Sequence, residues 1–83
     1  MPSQNKLPDR RVLRTKKNIR QAFLRLLAEK NISQITIKEL SDLADINRKT
    51  FYMYYSNIEE ILFELEDELV QKIEQDIVDF REK

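Results

Sequence analysis

Arg48, Lys49 and Thr50 directly follow Asn47, and Met53 comes three residues later. On a helix capped by Asn47, these four side chains lie near the exposed side. The chemistry open to them is recognition of base edges, since Arg or Lys can pair with guanine O6 and N7 in the major groove. Arg48 is the leading base-reading candidate. Lys49 suits a base or a phosphate equally, and Thr50 could touch a thymine methyl or a phosphate. Thr50 also stands at the N3 position of its own helix, where a purely structural role competes. Thr36 can offer a phosphate both its hydroxyl and the helix N-terminus behind it, a role compatible with capping. A basic run, Arg10, Arg11, Arg14, Lys16, Lys17 and Arg20, adds further cations. Arg14, Lys16 and Lys17 are the phosphate candidates among them, and some of the run can reach a neighbouring minor groove.

Other chemistries find little support. The chain has no His, no Cys and no Gly, so it offers no thiolate metal site, no glycine-rich phosphate loop and no base to activate a serine. Glu64, Glu66, Asp67 and Glu68 are clustered carboxylates, but they read as a solvated helix face with nothing to shift their pKa values for acid–base work. No catalytic residue, metal or cofactor is expected.

The elements that must position the basic side chains lie in Thr36–Tyr55, TIKELSDLADINRKTFYMYY. Thr36 with Glu39 forms a capping box, and Ile35 with Leu40 a hydrophobic staple. The pattern recurs with Asn47 as cap and Ile46 with Phe51 as staple. Leu40, Leu43 and Ala44 give the first of these helices its apolar face, and Asp45-Ile46 makes the turn. Two capped starts eleven residues apart leave about two turns of helix and a 3–4-residue connection, the spacing of a helix-turn-helix.

Length and composition agree. Eighty-three residues form one domain with one modest core. With 41% hydrophobic residues, 36% charged, no Gly and prolines only at positions 2 and 8, the reading is all-α. No 18-residue apolar run or signal-peptide core exists, so a soluble, intracellular protein without membrane contact is expected. The zero formal charge conceals a split: residues 1–55 hold 12 Lys/Arg and 5 Asp/Glu, net +7, and residues 56–83 hold 3 and 10, net −7. One half suits a polyanion and the other is repelled by it, although solvated helix faces also carry charge runs.

Residues 1–9 read as a disordered arm. The first helix begins near residue 10. Ile19, Ala22, Phe23, Leu26 and Leu27 form its apolar stripe, and it should end near Lys30-Asn31, with Asn31 left-handed. Ile32 and Ile35 plug the core. After Ser56, Asn57 with Glu60 offers another capping box, opening a long helix over about 57–81. Its stripe is Ile58, Ile61, Leu62, Leu65, Leu69, Ile73, Ile77 and Phe80. The second half, from about Leu69, extends past anything the preceding residues can bury, which suggests a partner, unless the helix frays after about Gln71.

Thr36-Ile37, Leu43-Ala44, Ile46-Asn47, Thr50-Phe51-Tyr52, Tyr54-Tyr55, Asn57, Glu59 and Leu62 resemble, in order and spacing, the helix-turn-helix of TetR-family transcriptional regulators. The likeness covers about residues 12–65. It implies a three-helix, homeodomain-like unit followed by a long fourth helix, and a bacterial, cytoplasmic regulator of transcription, a repressor, placed at the nucleoid when bound to double-stranded DNA. By the same resemblance Tyr52 and Tyr54 stand where donors meet phosphate oxygens, whereas Phe51 and Tyr55 fit the core. Ile58 stands where the family commonly places a phosphate-binding Lys, so that contact is not carried over. Asn31 and Asp45 replace usual glycines, and both tolerate positive φ. The family normally continues into a helical effector-binding and dimerisation domain, which these residues do not supply. No small-molecule ligand is therefore expected for this chain alone. A homodimer is expected, through the C-terminal helix or such a domain. The competing function is a protein-interaction or dimerisation module working through the acidic C-terminal helix.

Overall fold

The computed structural model describes residues 10–82. The arm expected over residues 1–9 lies outside them. The order is α1 (Arg10–Leu27), a 3₁₀ turn (Ile32–Gln34), α2 (Ile37–Ala44), α3 (Arg48–Tyr54) and α4 (Ile58–Arg81), with no strand among the described residues. The all-α expectation of a three-helix unit plus a long fourth helix holds.

The starts of α2, α3 and α4 each have a local cause. At α2 the Glu39 N–H donates to Thr36 Oγ1 (3.1 Å) and the Thr36 N–H donates back to Glu39 Oε1 (3.2 Å), completing the capping box. At α3 the Thr50 N–H donates to Asn47 Oδ1 at 2.8 Å. At α4 the Glu60 N–H donates to Asn57 Oδ1, but Glu60 Oε1 accepts from the Ser56 N–H, one residue before the cap, at 2.6 Å.

The apolar residues of both staples, Ile35 with Leu40 and Ile46 with Phe51, belong to one core with Ile19, Ala22, Phe23, Leu26, Ala44, Tyr55, Ile58 and Ile61. Ile32 packs against it from the 3₁₀ turn. Ile58 is buried, so at the start of α4 this chain carries a core residue.

Two expectations need correction. First, α1 ends at Leu27 and leaves through a turn in which the Glu29 and Lys30 N–H groups both donate to Leu26 O. Asn31 is extended (φ −70°, ψ 151°) and caps the 3₁₀ turn instead of adopting a left-handed conformation. Among the described residues only Asp45 has positive φ, at 61°. Second, Leu43 is 41% exposed, and α2 turns Leu40, Ser41 and Ala44 inward. Ser41 takes the inner place, and its small side chain suits a helix packed closely on α1. The long fourth helix is as expected: α4 runs 24 residues to Arg81, about 36 Å at 1.5 Å per residue, and does not fray after Gln71. Only Ile58 and Ile61 on it are buried, with Leu62, Glu64 and Leu65 half-buried, and every described residue from Glu66 onward is exposed. No helix among the described residues is long and apolar enough to cross a membrane.

Candidate nucleic-acid interface

α3 has seven residues, and its sides are sharply different. Phe51 is fully buried, and Tyr55, its C-cap, is nearly so. Arg48, Lys49, Tyr52 and Met53 are exposed, Met53 at 71% and Tyr52 at 56%. Positions 48/52 and 49/53 are i, i+4 pairs, so these four make two adjacent rows on one surface. Tyr52 is steadied at its base, edge-on to Phe51 with centroids 5.6 Å apart and planes at 87°.

The other candidate residues divide. Thr50 and Tyr54 are half-buried, with Tyr54 packed against the core. Thr36 is exposed at the N-terminus of α2 but already serves Glu39 as a cap acceptor. That Glu39 carboxylate also takes two hydrogen bonds from Lys30 Nζ (3.0 and 3.1 Å), which with the Thr36 backbone N–H lower its pKa below the ordinary 4.5. Lys30 thereby ties the end of the α1 turn to α2. Arg14 and Lys17 are exposed on α1.

Lys16 stands apart from these. Its Nζ donates to Glu64 Oε2 at 2.8 Å and sits 5.4 Å from the Tyr55 ring centroid. Arg20 donates to Glu64 Oε1 through Nε (3.2 Å) and Nη2 (2.7 Å), and to Glu68 Oε2 through Nη2 at 2.5 Å. Tyr55 Oη donates to the same Glu64 Oε1 at 2.5 Å. Glu64 is therefore not a carboxylate on a solvated face, as its neighbours in sequence suggested. Partial burial alone would raise its pKa, but hydrogen bonds from Lys16, Tyr55 and Arg20 outweigh that and hold it at about 2. Burial and the adjacent carboxylate push the Tyr55 phenol up to about 12. Burial works against the Arg20 cation, yet bonding to Glu64 and Glu68 raises its pKa overall. No sequence signal points to this cluster, because Lys16 and Arg20 lie 48 and 44 residues from Glu64. Among the described residues no His, Cys, Asp or Glu group has the arrangement of a metal site.

The arrangement is a short capped helix with a basic, partly aromatic outer surface, set beside α1 and α2. No solved structure matches the chain. The chain is 47% identical over 55 residues to the "Uncharacterized HTH-type transcriptional regulator YxbF" of Bacillus subtilis (strain 168). That alignment takes in 65% of this chain and 14% of the relative's length. The family described as "Bacterial regulatory proteins, tetR family" matches residues 19–65, more than half of the chain and all of the helix-turn-helix. The chain belongs to the tetR family of bacterial regulatory proteins.

Proposed function

We propose that this chain binds double-stranded DNA sequence-specifically through α3 and regulates transcription by doing so. The observation that carries the reading is the outer surface of α3, where Arg48, Lys49, Tyr52 and Met53 project while Phe51 anchors the helix from within. Arg48 and Lys49 read base edges at the N-terminal end, with Thr50 and Met53 beside them. Thr36, Tyr52, Tyr54, Arg14 and Lys17 fix the module on the phosphates. Lys16, held by Glu64, contributes to the support and not to the contact. By the resemblance to TetR-family regulators, the regulation is repression and the working place is the bacterial nucleoid. Selection of duplexes from a random pool by the full chain tests this. Enrichment of a defined site supports the reading, and equal retention of all duplexes, or none, rejects it.

The exposed second half of α4 supports a homodimer. Leu69, Ile73, Ile77 and Phe80 lie open to solvent along one stripe. A twofold dimer through this seam would present two recognition helices to paired half-sites.

A further inference from the structure

Glu64 lies outside the surface assigned to DNA, yet side chains from two other elements converge on its carboxylate. Oε1 accepts from Tyr55 at the end of α3 and from Arg20 on α1, and Oε2 accepts from Lys16 on α1. We propose that Glu64 is a positioning residue for DNA binding, fixing the C-terminal end of α3 against α1 so that the recognition helix keeps one orientation. The proposal rests on the DNA-binding reading of α3.

A two-turn helix has few anchors, and α3 has one at each end and one in the middle. Asn47 caps its start, Phe51 is its apolar plug, and Tyr55 closes it. The Tyr55 N–H donates to Phe51 O, and the two rings lie 5.9 Å apart. The hydroxyl then needs an acceptor that does not move. Glu64 meets that need because its two oxygens are gripped from α1 by different side chains, which fixes the plane of the carboxylate as well as its place. Arg20 also bridges to Glu68, one helical turn farther along α4. Loss of the Glu64 acceptor leaves Tyr55 free to pivot, and Tyr52 and Met53 ride on the same short segment.

The test uses the full chain and the duplex that the wild type enriches from a random pool. Glu64→Gln keeps the size of the side chain but leaves one acceptor oxygen for three donors, and Tyr55→Phe removes the hydroxyl alone. Glu68→Gln is the control, since it loosens Arg20 without touching Tyr55. Affinity is measured at several salt concentrations, and amide hydrogen exchange along α3 is measured in the free proteins at a temperature where all are folded. The expected result is binding weakened by about tenfold in Glu64→Gln and in Tyr55→Phe, the scale of one charge-assisted hydrogen bond. The salt slope should stay unchanged, the Tyr55 amide should exchange faster, and the double variant should be no weaker than either single one. Glu68→Gln should bind like the wild type. A lower melting temperature with wild-type affinity and α3 exchange would overturn the proposal, leaving Glu64 a purely stabilising residue. So would tighter binding with a steeper salt slope, which would mean that Glu64 withholds Lys16 and Arg20 from phosphates. If the wild type enriches no duplex, the DNA reading itself fails. Exchange in the free proteins then still decides on the positioning: faster at Tyr55 in Glu64→Gln upholds it, and unchanged overturns it.

Discussion

Arg48 and Glu64 illustrate how differently two charged residues act in this domain. Arg48 is exposed at the N-terminal end of α3. Its Ala variant should fold as the wild type does but lose about 1–3 kcal/mol of discrimination at one base pair, as competition between selected and single-substituted duplexes would reveal. Glu64 instead acts inside the fold, and its effect follows pH. Its carboxyl titrates at about 2 in the folded chain against an ordinary 4.5. A depressed acid pKa contributes stability that is fully present above 4.5 and is lost as pH falls towards 2. The stability gap between wild type and Glu64→Gln should therefore close over that acid window in urea melts. Tyr55 has the opposite sign: raised from 10 to about 12, it contributes stability below pH 10 that is lost as pH rises through 12. Tyr55→Phe should lack that alkaline loss.

The helix caps, one element up, decide where the recognition helix starts. Thr36→Ala removes half of a reciprocal box, so thermal or urea melts should record a loss of about 1 kcal/mol. These caps were legible in the sequence because their partners are three residues apart. The stapled core residues were legible for the same local reason. Where the reading went wrong, the deciding contacts were distant or the pattern too short. In an eight-residue helix, Leu40-Leu43-Ala44 and Leu40-Ser41-Ala44 fit the period almost equally well, and packing on α1 selected the second. Asn31 and Asp45 are both able to turn left-handed, but only Asp45 stands where the chain must reverse within two residues into α3. Of the outer residues of α3, Tyr52 came from the family resemblance, and Thr50, read as near the exposed side, is half-buried, while Arg48, Lys49 and Met53 were legible from its own spacing. The Glu64 cluster was not, because its members come from α1, the end of α3 and α4.

At the scale of the whole molecule, the +7 and −7 halves of the chain separate the surface proposed to meet DNA from the acidic fourth helix. Past Leu65, α4 keeps its helix with its apolar side chains exposed and Glu68 bonded to Arg20, and the apolar stripe there is the seam proposed for a second copy. Leu69→Glu combined with Ile73→Glu should abolish concentration-dependent dimerisation in sedimentation experiments while leaving the melting of the domain unchanged, because neither residue touches the core. A dimer that persists in this variant would move the seam elsewhere.

The central claim is that α3 reads the major groove, and salt-dependent binding of the full chain to its selected duplex tests it most directly, beside the Arg48→Ala, Tyr52→Phe double variant. With about 4–6 phosphates neutralised per monomer, log K for the wild type should fall against log salt with a slope of roughly −4 to −5. The double variant should lose its preference for the selected site and most of its affinity. Undiminished affinity and site preference in that variant would contradict the account.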